Sequence, residues 1–270
     1  MTSPRARAVA RSAARRKRAS MRQRLPDAIA ALYSLALRAW TVTLTKAALA
    51  HFSDPPAETL DAAREDAPSW LDWVQRKIGE FRAYVAQVFS TPPVRVIKKT
   101  ATGVAEHTTS ENRRILGIEP AGVSEDMLAA FRRANLDLIT ALPESFVDDL
   151  EAALTAAPAG LRVEQVAAAI KERGAVTASH ADLIACDQVL KLNAQITRTQ
   201  QQAAGVSEYE WSTSKDERVR HSHSMLQGTL HSWGSPPVVD PKRGRREHPG
   251  GDFRCRCCAL PVLPNFLRDE

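Results

Sequence analysis

The residues best suited to chemistry stand close together near the C-terminal end. They run Trp211-x4-Asp216-x-Arg218-x-Arg220-His221-x-His223, then Gly228, then His248-Pro249-Gly250, then Cys255-Arg256-Cys257-Cys258. Imidazole and thiolate are the donors zinc prefers. Donors from His221, His223, Cys255 and Cys257 converge on one ion if the strands near 211 and 259 pair. C-x-C is not the spacing of a standard zinc finger, and a core cysteine pair with surface histidines accounts for the same residues. Asp216, Arg218 and Arg220 alternate, so on a strand all three project from one face, as a phosphate-binding or base-orienting pair or as a structural salt bridge. The sequence holds no Gly-rich phosphate loop, no H-E-x-x-H and no G-x-S-x-G, so it writes out no catalytic mechanism.

Charge supplies a second candidate. Of the 37 Lys and Arg, nine fall in residues 1–24, a stretch without a single acid that contains Arg15, Arg16, Lys17 and Arg18. Residues 25–204 carry 18 basic and 22 acidic residues, a net −4, and residues 205–270 a net +1. The net charge of +6 is therefore that of a basic arm on a nearly neutral body, which argues against nucleic-acid binding by the whole surface. The arm, and the basic tetrad within Lys242–Arg246, can neutralise phosphates by counterion release. Neither is interleaved with aromatics, so base stacking is not expected. A solvated tail is the alternative for the arm. An Arg-, Ser- and Ala-rich start also resembles an organellar transit peptide, a minor alternative.

The elements that must position these groups follow from pattern. Of 43 alanines, 40 lie within the first 200 residues, whereas six of 12 Gly, four of seven His and three of four Cys lie in the last 66. The expected fold class is therefore a mainly α N-terminal region followed by a small, loop-rich α+β C-terminal module. Ser69 with Asp72 reads as a capping box opening a helix through Val74, Ile78, Phe81, Val85 and Val88, stopped by Pro92-Pro93. Ser124 opens another through Leu128, Phe131, Leu138 and Leu142, closed by Pro143. A short helix through Phe146, Leu150 and Leu154 ends at Pro158-Ala159-Gly160, and one through Val163, Val166 and Ile170 ends at Gly174. Ser179 caps a long helix ending near Gly205. Residues 209–213 and 229–233 read as strands and 259–262 as a short edge strand, with a Pro/Gly-rich loop over 234–252. Ala28–Thr45, interrupted by Arg38, falls short of a membrane span, and the expected surroundings are soluble and reducing.

At the chemical cluster the sequence resembles a known family. Gly205-Val206, Tyr209-x-Trp211-x-Thr213-Ser214-x-Asp216-Glu217-Arg218-Val219-Arg220-x-x-His223, Gly228, Pro249-Gly250-x-Asp252 and Cys255-Arg256-Cys257 together resemble the phage Mu F-like minor head proteins, also called phage head morphogenesis proteins. The lead-in Ala181-Asp182-Leu183-Ile184-Ala185 to Lys191-Leu192-Asn193 is similar too, although an Arg usually stands where this chain has Cys186. The resemblance covers roughly 175–263, and in it His223 fits the aligned histidine better than His221. It implies a minor capsid protein of the virion or procapsid interior, assembled in the host bacterial cytoplasm. It implies portal and capsid proteins as partners, a part in DNA packaging, and no membrane.

The resulting organisation is a basic flexible arm over 1–24, a helical region over 25–174 and a Mu F-like module over 175–270. Trp211, Asp216, Arg218, Arg220, Gly228, Pro249 and Arg256 form the module's structural motif. The expected contact with DNA is through Arg15, Arg16, Lys17 and Arg18. The alternative function is a zinc-dependent hydrolase or nuclease built on Asp216, His221 or His223, and Cys255 with Cys257.

Overall fold

A computed structural model describes residues 22–55, 69–157 and 161–264. Five long helices come first: α1 (Asp27–His51), α2 (Trp70–Val88), α3 (Val94–Leu116), α4 (Glu125–Thr155) and α5 (Val163–Ala203). After them come β1 (Glu208–Ser212), the short helix α6 (His221–Ser224), β2 (Leu230–Ser232), β3 (Val238–Asp240), β4 (Arg245–Arg246) and β5 (Cys258–Pro261). The mainly helical N-terminal part and the small antiparallel C-terminal region match the fold class read from the sequence. The chain divides into two compact units: Ala31–Lys98 with Arg132–Ala185, and the described residues of Met1–Ala30, Lys99–Phe131 and Cys186–Glu270.

The first of these units is an aromatic-rich helical core. Leu44, Phe52, Trp73, Ile78, Phe81, Phe146, Leu150 and Val166 are buried together, and α2 opens on the expected reciprocal bonds between Ser69 and Asp72. Val85 is buried, while Val88, assigned to the same stripe, is half exposed. Pro143 does not close a helix: α4 runs through it for 31 residues. An interior proline costs about 3 kcal/mol, and burying Phe146, Val147, Leu150 and Leu154 beyond it outweighs that. Gly174 likewise stops nothing, since α5 is continuous over 41 residues. A Cβ at Gly174 would lie 2.3 Å from the Thr45 hydroxyl, so glycine stands there for close helix contact. The line drawn between 174 and 175 accordingly falls inside α5. Pro158-Ala159-Gly160 lies outside the described residues.

In the other unit the strands form a sheet of order β2-β1-β5. All pairings are antiparallel, and Trp211 stands opposite Ala259. The last strand is therefore an edge strand, as its sequence suggests. The stretch 234–252, expected to be all loop, contains a second small sheet of β3 and β4. Helix α3, which the sequence did not announce, buries Ile97, Ala101, Val104, Thr108, Asn112 and Ile115. A chain of buried amides and hydroxyls ties this unit together: Thr108 Oγ1 donates to Asn193 Oδ1 (2.9 Å), and Asn112 Nδ2 to Gln200 Oε1 (2.8 Å). Gln23 Nε2 donates to Thr197 Oγ1 (2.8 Å). Helix α1 is long and apolar enough, by length and composition, to cross a membrane; Tyr33, Leu37, Leu44 and Ala48 are buried while Leu32, Leu35 and Val42 are exposed.

Candidate functional site

Central strand β1 buries Tyr209 and Trp211 in the core that also holds Trp233, Val239, Cys255 and Cys257. The chain then leaves the sheet through a turn in which Lys215 has φ 61°. Asp216 and Arg218 therefore lie in that turn, and Arg220 at its end, not on one face of a strand. Their expected mutual pairing gives way to other partners: Asp216 pairs with Arg256 (2.9 Å) and Arg220 with Asp252 (2.8 Å). Arg256 also approaches Asp27 (3.6 Å). Gly228 has φ 80° and donates its N–H to the Trp211 carbonyl (2.8 Å), a turn that favours glycine. Pro249 is buried.

The single turn of α6 decides between the two histidines. Residues two apart on a helix point to nearly opposite sides, so His223 faces the core at 2% exposure while His221 is exposed. The Trp211 ring meets the His223 ring edge to face, centroids 5.6 Å apart. His223 Nδ1 lies 3.5 Å from Cys255 Sγ and 3.7 Å from Cys257 Sγ. Three of the four predicted donors thus converge, all buried, their donor atoms within 4.8 Å of one another. His221 is not among them. Cys258 belongs to strand β5, its Sγ 3.8 Å from the Gln23 carbonyl.

Asp252, quoted in the sequence pattern but absent from the expected site, organises the cluster. Its Oδ2 is 3.1 Å from His223 Nε2 and accepts from Arg220 (2.8 Å). Its Oδ1 accepts the Phe253 N–H (2.8 Å) and faces Arg245 (2.9 Å). A buried carboxylate with this many donors is compensated rather than stranded. Arg254 between the two has φ 47° and gives its N–H to Asp187 (2.8 Å). Gly250, φ 85°, donates its N–H to Cys255 Sγ (3.4 Å).

These contacts set the protonation of the cluster. The Cys255 thiol is drawn down from its ordinary value, first by its hydrogen bond to Cys257 and then by His223. Cys257 moves up, because it keeps the shared proton and donates it to Cys255, and because it is buried. His223 is raised, chiefly by its bond to Cys255. Burial pushes the Cys258 thiol up to about 12. One thiolate beside one imidazolium is what such a pair favours.

A cavity of about 490 Å³ opens over the cluster, lined by His223, Cys255 and Cys257 together with Arg218, Arg220 and Arg254. Arg218 and Arg254 form no ion pair among the described residues, so their charge is available to a ligand. Half of the basic tetrad is internally neutralised: Arg245 faces Asp252 and Asp240, and Arg243 lies 3.8 Å from Asp240. Arg15, Arg16, Lys17 and Arg18 lie outside the described residues; of the arm, Arg22 and Gln23 are held by Thr213 and Thr197.

Residues 148–260 match the family described as phage Mu protein F like protein. Over 137 residues, half of this chain, the sequence is 37% identical to an uncharacterised protein of Haemophilus influenzae. That stretch spans 29% of the relative's length. No solved structure matches the chain.

Proposed function

We propose, from the match of residues 148–260 to the phage Mu protein F like family, that this chain is a phage head morphogenesis protein and serves as a minor capsid protein at the portal. There its basic arm meets packaged DNA. The family match carries the reading: it supports other phage structural proteins as partners and the virion or procapsid as the location. The finer assignment draws on charge. Nine basic residues without an acid in the first 24, ahead of a segment with net −4, suit a protein lying between a protein shell and DNA.

Two measurements test it. Quantitative mass spectrometry of purified procapsids and mature virions should find the chain at a few copies per particle; its presence in infected-cell lysate but in neither particle would refute the assignment. Gln23 is only 5% exposed, so an arm deletion should stop at residue 21. That truncation should keep the fold and lower DNA affinity most at low salt. Equal DNA binding by truncated and full-length chains would remove the arm from the mechanism.

A further inference from the structure

From the convergence of His223, Cys255 and Cys257 beneath an arginine-lined cavity, we infer that this protein holds one zinc ion through three side chains, with the fourth coordination position open to an anionic ligand. The inference goes beyond head assembly and stands or falls separately from it.

The distances are those of a zinc site. Tetrahedral zinc with Zn–S near 2.3 Å and Zn–N near 2.0–2.1 Å separates its nitrogen and sulfur donors by about 3.6 Å. Here Nδ1 lies 3.5 and 3.7 Å from the two sulfurs, within reach of N–H···S hydrogen bonds and also the spacing of donors sharing an ion. The surroundings match as well. His223 turns its other nitrogen, Nε2, to the Asp252 carboxylate at 3.1 Å, the partner that fixes ring orientation in metal-bound histidines. The Gly250 N–H points at Cys255 Sγ, as a donor does toward a thiolate. Two thiols and an imidazole, all 5% exposed or less, meet in one core.

The same three residues line the cavity, so the side of the ion they leave uncovered faces it. Arg220 is committed to Asp252 and the Phe253 carbonyl, and Arg256 to Asp216. Arg218 and Arg254 remain, two guanidiniums at a cavity over a cation. That charge selects an anion with several oxygens, of which phosphate is the simplest.

The test uses the full-length chain purified in zinc-containing buffer, with metal content measured directly, and the cobalt(II) form examined by absorption. One metal per chain and thiolate-to-cobalt charge transfer with tetrahedral d–d bands are expected. His223→Ala and Cys255→Ser should abolish both, whereas Cys186→Ser and Cys258→Ser should leave the metal in place. Asp252→Asn should weaken zinc by about 10- to 100-fold while keeping the cobalt spectrum, a readout available even where a ligand variant fails to fold. Inorganic phosphate should shift the d–d bands, and less so in Arg218→Ala/Arg254→Ala. Metal-free protein in zinc buffer, a Cys255–Cys257 disulfide in protein purified with reductant, or a spectrum without thiolate bands would overturn the site. A cobalt spectrum unmoved by phosphate would overturn the open position.

Discussion

Lowering the pH from 7.5 to 5 should cost this protein about 2 kcal/mol through His248 alone. The ring is 7% exposed, its Nδ1 is 2.9 Å from the Tyr209 hydroxyl, and its centroid lies 5.0 Å from that of Trp233, with the ring planes tilted by 57°. Burial and then the nearby Arg198 charge, with a smaller push from His231, depress its pKa from 6.5 to about 4, against the Trp233 backbone, which acts in the opposite direction. The unfolded chain therefore takes up a proton below about 6.5, while the native ring refuses it until about 4. In that window the unfolded state binds more protons, so stability falls as pH falls. Each unit of pKa difference corresponds to about 1.36 kcal/mol, so the full loss below pH 4 is about 3 kcal/mol. About 2 kcal/mol of it is reached by pH 5, before most carboxylates titrate. Urea unfolding of wild type and His248→Asn, followed by tryptophan fluorescence with chelator at pH 7.5, 6.5, 5.5 and 5, reads it out. Asparagine keeps an acceptor for Tyr209 and cannot be charged, so its stability should vary less over this range by that amount. Parallel curves for the two proteins would refute the argument.

Three further outcomes follow from packing. Gly250→Ala places a Cβ 2.6 Å from that of Ala194 at φ 85°; it should destabilise by about 1–3 kcal/mol, and a double-mutant cycle with Ala194→Gly should show positive coupling. Phe146→Ala, at a residue 1% exposed beyond Pro143, should cost about 3–5 kcal/mol in thermal unfolding. A loss under 1 kcal/mol would mean that its packing does not carry α4 past the proline. Ser69→Ala removes the reciprocal cap of α2 and should cost about 1 kcal/mol, with Ser69→Asp close to wild type.

What the sequence made legible was local. The cap at Ser69, the stop at Pro92-Pro93 and the three strands each rest on a few neighbouring residues, and the structure has them all. Pro143 and Gly174 misled because their local penalty is opposed by contacts far away in sequence: the aromatic core in one case, Thr45 in the other. The alternation of Asp216, Arg218 and Arg220 looked like a strand face because nothing in it announces the left-handed turn at Lys215. The donor set was legible by type, and the resemblance already favoured His223. The choice of His223 over His221 as the cluster's donor depends on the orientation of one helical turn. The role of Asp252 depends wholly on tertiary placement, since His223 lies 29 residues before it.

The fastening of residues 22–24 has a further consequence. Arg22 donates to the Thr213 carbonyl, its own carbonyl accepts from Arg114, and the Arg24 N–H is held by Glu111 at 2.8 Å. Arg22 and Arg24 are thus stitched beside β1, in the unit that carries the cavity. A chain extends at most about 3.3–3.6 Å per residue, so Arg5 can act no farther than about 60 Å from Arg22. If Arg15, Arg16, Lys17 and Arg18 contact DNA as proposed, that phosphate backbone is presented to the rest of the unit at an effective concentration in the millimolar range. A weak second contact on that unit would then suffice to hold DNA that neither segment could retain alone.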